Sequence, residues 1–191
     1  MGIIFTLKNE MKTLIIHPRD NSTTFLSEIY SNIPDKTIIT HGVTKKRVRE
    51  LIKEHDRVIM LGHGSPGGLL SIRQFGTTNG FIIDYSMVDV LKEKKDNVFI
   101  WCNADQFVFD YELEGFYSGM FISEIVEANY CGIFEVDENE IITSNRKFCD
   151  IVSENINENS TIIYENVKKE YGEFAKENRI AHYNFKRLYL K

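Results

Sequence analysis

A chain of 191 residues with 42% hydrophobic and 27% charged residues is long enough to bury one core of ordinary size, which excludes disordered and fibrous architectures. A net charge of −5 argues against a nucleic-acid partner, and Lys45-Lys46-Arg47 reads as the solvated face of a helix. The three cysteines fit neither a disulfide framework nor a CxxC metal site, no apolar run reaches membrane-spanning length, and no secretory leader is visible, so a cytoplasmic protein without a membrane partner is expected.

In chain order, residues 1–11 form an added edge strand or an upstream extension, and Lys12–His17 is the first core strand, closed by Pro18. Asn21, Ser22 and Thr23 offer capping oxygens to an amphipathic helix carrying Phe25, Ile29, Tyr30 and Ile33. Thr37–Thr40 is a second strand, Thr44–His55 a basic helix with Val48, Leu51 and Ile52 inward, and Arg57–Gly62 a third strand. This alternation of strand and helix predicts a single α/β domain over 1–191 with a mostly parallel central sheet.

Gly67–Ile83 reads as a hairpin or loop, and Tyr85–Lys95 as a helix capped by Asp84. Val98-Phe-Ile-Trp-Cys-Asn-Ala104 is another buried strand. Asp105–Tyr117 is read as an irregular substrate-contacting segment, Met120–Tyr130 as a helix and Cys131–Val136 as a further strand. Asn145–Ile156 and Ser160–Lys176 are expected to be terminal helices, with Lys186–Leu190 a last strand or a tail.

Two apolar strands end in reactive side chains, His63 and Cys102, and residues at the carboxyl ends of neighbouring parallel strands converge on one rim. An imidazole that takes the proton of a thiol makes it a nucleophile toward carbonyl carbon, and the backbone amides of Gly64 and Cys102 are the candidate oxyanion donors. The bland alternative is that the cysteine is packing beside Trp101 and the histidine a turn residue.

Other patterns fall short. Gly62-His-Gly-Ser-Pro-Gly67 satisfies G-x-G-x-x-G, but Pro66 removes an amide from any phosphate cradle, and Ser65 does not sit in G-x-S-x-G. His63, Cys102 and Asp105 match no zinc signature, so neither a metal nor another cofactor is expected.

Leu61-Gly-His-Gly64, the glycine-rich hairpin, and Phe99-Ile-Trp-Cys102 together resemble the caspase-like, clan CD cysteine peptidases, closest in motif to the bacterial gingipain, clostripain, legumain-like and CHAT branches. The resemblance spans about residues 12–176, though only the two short motifs are specific. It implies a caspase-like three-layer sandwich and a Cys-His dyad with Cys102 as nucleophile and His63 as general acid/base, acting on a peptide or protein substrate through a thioester. It also places Arg19 or Asp20, together with residues near the cysteine such as Asp105, at the substrate side chain. Asn103-Ala-Asp105 after the cysteine departs from the family's usual small residues, which keeps open a catalytically inactive module that binds a peptide or partner. A glutamine-amidase-like hydrolase is a third reading, but its nucleophile sits on a strand-to-helix elbow and precedes its histidine, whereas here the histidine comes first.

Overall fold

Successive residues of the central strands point alternately into two separate cores, so helices have to cover both faces of the sheet. A computed structural model describes residues 11–71 and 80–191 and has this arrangement. Strands β1 (Thr13–Ile16), β2 (Lys36–Ile39), β3 (Arg57–Leu61), β7 (Val98–Ile100), β8 (Phe116–Ser118) and β9 (Leu188–Leu190) form one sheet in the order β2-β1-β3-β7-β8-β9. All neighbours are parallel except β8 and β9. A second, antiparallel sheet contains β4 (Gly64–Ser65), β5 (Gly68–Leu70) and β6 (Phe81–Ile83).

Leu14, Ile16, Val58, Met60, Phe99 and Trp101 face helices α1 (Lys45–Glu54), α2 (Val88–Leu91) and α3 (Ala104–Asp110). Ile15, Ile59, Leu61, Val98 and Ile100 face α5 (Glu138–Asn155), α6 (Ser160–Phe174), α7 (Arg179–Phe185) and the 3-10 segment Thr24–Tyr30. This is a mostly parallel α/β sheet flanked by helices on both sides, compatible with a three-layer sandwich. Strands buried on both faces need unbroken apolar runs, which is why β1, β3 and β7 were readable from sequence.

Several expectations are corrected. The segment after β1 is a 3-10 helix, because Ser27 and Ser31 turn their hydroxyls onto the carbonyls of Thr24 (2.6 Å) and Glu28 (2.8 Å), competing with α-type bonding. The segment read as irregular, Asp105–Tyr117, supplies most of α3 and the start of β8. The chain leaves β7 through Asn103 in the left-handed conformation (φ 65°), which asparagine tolerates better than most residues. Met120–Tyr130 is helical only in α4 (Ile125–Tyr130).

Cys131–Val136 is not a strand. Positive φ at Gly132 and Glu135 breaks the extended run, and Ile133 and Val136 pack instead against Ile122, Ala128, Ile141 and Ile180. Helix α5 begins earlier than expected, at Glu138, where the Asp137 side chain accepts from the Asn139 amide and two further carboxylates lie in the first turn. Helix α7 lacked a periodic signal long enough to read. Residues 1–10, most of the expected extension, and residues 72–79 within the expected hairpin lie outside the described residues. Among the described residues no helix is long and apolar enough to cross a membrane.

Candidate functional site

The carboxyl ends of β1, β3 and β7 form one rim, and their registers, Ile16 beside Met60 and Leu61 beside Ile100, bring the following loops together. His63 follows β3 on the turn into β4, and Gly62 makes that turn with φ +135°, a backbone state other residues avoid. The histidine ring is held by the loop after β1. Its Nε2 lies 2.8 Å from Ser22 Oγ and 3.2 Å from Asp20 Oδ2.

Ser22 Oγ already donates to Asp20 Oδ1 at 2.8 Å, and a carboxylate can only accept, so both neighbours require a proton on Nε2. The tautomer follows from this network. Nδ1, which has no hydrogen-bond partner among the described residues, is left as the basic nitrogen. Partial burial works to raise the Asp20 carboxyl, but the Ser22 hydroxyl, the His63 ring and the Thr23 amide and hydroxyl outweigh it and hold the carboxyl below its ordinary value.

Cys102 sits two residues past β7 and two before α3, on a strand-to-helix turn. Its thiol donates to the Phe121 carbonyl at 3.6 Å and to the Glu127 carboxylate at 3.7 Å. Burial, reinforced by the Glu127 charge, pushes the thiol up to about 12, so in this arrangement the sulfur is a protonated thiol. No hydrogen bond joins it to His63, although both residues line one cavity of about 20 Å³ with Phe25, Trp101, Phe121 and Glu127. A volume of that size holds about one water molecule. The Cys102 backbone amide donates to none of the described residues.

The other expected site residues fall in different places. Gly64 has a packing reason for its lack of a side chain: a Cβ there would lie 2.0 Å from Trp101 Cδ1. Asp20 reaches His63, whereas Arg19 is exposed and contributes charge near Tyr30. Asp105 lines a separate cavity of about 370 Å³ with Phe109, Tyr117 and Tyr189. Burial raises its carboxyl, and its Oδ1 has no partner among the described residues.

Ser22, Phe121 and Glu127 carry roles that sequence reading missed. Asp20-Asn-Ser-Thr23 directly after a closed strand is an Asx-turn signal that could have placed Ser22 at the rim. No local signal exists for Glu127, which arrives from a distant helix. His17, one residue past β1, shows no partner in the sequence but is buried beside this rim. Its Nδ1 meets the Tyr30 hydroxyl at 3.1 Å, its Nε2 has no partner, and burial lowers it to about 4.

Among the described residues no group of three or more His, Cys, Asp or Glu side chains is placed to hold a metal ion. Comparison with protein-family models, with curated proteins and with solved structures finds no match, so the chemistry of this rim rests on its own geometry.

Proposed function

We propose that this chain is a caspase-like cysteine peptidase in which Cys102 attacks the peptide carbonyl and His63 carries the proton. The observation that supports this reading is the hydrogen-bonded, parallel pairing of β3 and β7, which sets the imidazole and the sulfur on one rim and around one cavity. A basic Nδ1, fixed by the Asp20 and Ser22 contacts to Nε2, suits the role of proton acceptor.

In the reaction the thiol proton passes to His63 and the sulfur forms a bond to the carbonyl carbon. The C–N bond then breaks as His63 returns the proton to the departing amine. Water adds to the resulting thioester, the C–S bond breaks, and the thiol is restored. The Cys102 amide, without a backbone partner, is available to the oxyanion. In the arrangement described the sulfur faces Phe121 and Glu127, so this reading requires it to turn toward His63 before it reacts.

The second reading, a non-catalytic interaction module, draws on the same thiol being held near 12 and on the narrowness of its cavity. Labelling separates the two. Peptidyl acyloxymethyl ketones with acidic, basic and asparaginyl P1 residues are expected to modify Cys102, with labelling lost in Cys102→Ala. Labelling that persists in that variant, or that fails with all three probes, leaves the module as the standing reading.

A further inference from the structure

A second concavity close to this rim is much larger than the one holding His63 and Cys102. A groove of about 700 Å³ runs between the 3-10 segment, the start of α4 and one face of α5. Part of its wall is apolar: Phe25, Ile141, and the outward-facing Ile125 (41% exposed), Val126 (75%) and Ile142 (44%). Large aliphatic side chains left in water along one groove mark a contact surface.

Charge says what kind of contact. Glu28, Glu124, Glu138 and Asp150 stand along the groove against the single cation Arg146, and none of the five is in an ion pair among the described residues. The floor adds an independent feature. Asn145 lines the groove at 6% exposed; its Nδ2 donates to the Ser123 carbonyl at 3.1 Å, and its Oδ1 has no partner among the described residues. A buried amide oxygen left without a donor is costly, and a backbone N–H laid along the groove would satisfy it.

The groove also continues toward the rim. Ser22, whose hydroxyl contacts His63, lines it, and Phe25 and Ser123 are shared with the small cavity that holds Cys102.

We infer that this groove binds a basic peptide segment, with aliphatic side chains against Phe25, Ile125 and Ile142, cationic side chains at Glu28, Glu124, Glu138 and Asp150, and a backbone N–H on Asn145 Oδ1. The inference does not require cleavage. If Cys102 does cut, the groove makes basic, aliphatic-flanked peptides the substrate class.

The test uses the Cys102→Ala chain, so that no cleavage intervenes. A fluorescein-labelled octapeptide alternating leucine and arginine is titrated by fluorescence anisotropy at about 50 mM salt, where surface charge is weakly screened. The same peptide with glutamate for arginine, and spermine as a competitor, are the controls. The leucine–arginine peptide is expected to bind, the glutamate peptide not to bind, and spermine not to displace it at equal concentration. Glu138→Lys combined with Asp150→Lys should weaken binding roughly tenfold or more, and Val126→Asp should weaken it several-fold. If the reversal variant shows an altered thermal midpoint, Glu138→Gln with Asp150→Asn takes its place.

Five results overturn the inference: no binding of the leucine–arginine peptide, equal binding of the glutamate peptide, displacement by spermine, unchanged affinity in a well-folded reversal variant, or a groove closed by self-association in sedimentation. Peptidyl-ketone labelling of the wild-type chain is read separately. A labelled Cys102 beside a silent groove sinks this inference alone, and a bound peptide beside an inert Cys102 sinks the peptidase reading alone.

Discussion

The two rims of the central sheet are built from the same strands yet treat their polar groups in opposite ways. At the amino rim, the Arg57 guanidinium, 2% exposed, donates to the Ile156 carbonyl at 2.6 Å and to Thr13 Oγ1 at 3.1 Å. Asn97 accepts from the Val58 amide and donates to the Leu91 carbonyl, and Asp96 accepts from the Ser160 amide. One buried side-chain atom there, Arg57 Nε, is left over.

At the carboxyl rim, His17 Nε2, His63 Nδ1 and the Cys102 amide have no partners among the described residues, and a thiol is capped by a carboxylate. Groups that ordinary folding would satisfy are left available where the strands end, the place at which open α/β sheets carry their chemistry. The amino rim ties the layers together, and the carboxyl rim leaves polar groups without partners among the described residues.

That contrast predicts that substitutions at the amino rim cost stability and leave Cys102 reactivity alone, while those beside the sulfur at the carboxyl rim change its reactivity and leave stability largely alone. The largest stability effect is expected at Arg57. Arg57→Ala leaves the Ile156 carbonyl and Thr13 without their donor and opens a cavity, at about 3 kcal/mol by urea unfolding. Arg57→Met, which fills the space without the buried charge, should recover most of that loss. A fully stable Arg57→Ala would show that the amino rim is not the tie it looks to be.

His17 is where the contrast should become pH-dependent. Its folded value of about 4 lies below the ordinary 6.5, so between these two the unfolded chain binds more protons than the folded one. Stability from this residue is fully present above about 6.5 and is lost as pH falls through 4, on the order of 3 kcal/mol in all. Replacing it by phenylalanine should flatten acid unfolding over that window, and an unchanged profile would count against a buried neutral imidazole.

The smallest expected effect is at Glu127. Glu127→Gln removes a charge beside the sulfur while keeping an acceptor for the Ser123 and Glu124 amides. The Cys102 thiol should then ionise at lower pH and alkylate with iodoacetamide several-fold faster at neutral pH, with little change in thermal midpoint. No acceleration would mean that burial alone governs the sulfur.

How much of this was legible in the chain follows from how local each signal is. Strands β1, β3 and β7 announce themselves because burial on both faces demands an apolar run, and the meeting of His63 with Cys102 on one rim follows from parallel pairing of neighbours. Helix α3 was hidden. It is short, it mixes buried Phe107 and Val108 with Phe109 at 75% exposed, and it starts from a left-handed asparagine that no periodicity reports. The cap on Cys102 was beyond sequence reading altogether, since Glu127 lies 25 positions further along, past α3, β8 and a loop. Gly64 was legible as a special position but for a chemical reason, whereas what excludes a side chain there is the indole of Trp101.

That indole has a further consequence. Its ring lies where a Cβ of Gly64 would have to be, and its Nε1 donates to the Ser65 carbonyl at 3.2 Å, so the small antiparallel sheet is welded to the strand before Cys102. His63 precedes the weld on one side and Cys102 follows it on the other, so a single aromatic ring ties together the two chain segments that carry the imidazole and the sulfur. The backbone carbonyl of Gly68 closes the same space, 2.8 Å from where that Cβ would stand, so a slimmer residue at 101 alone would not admit a side chain at 64.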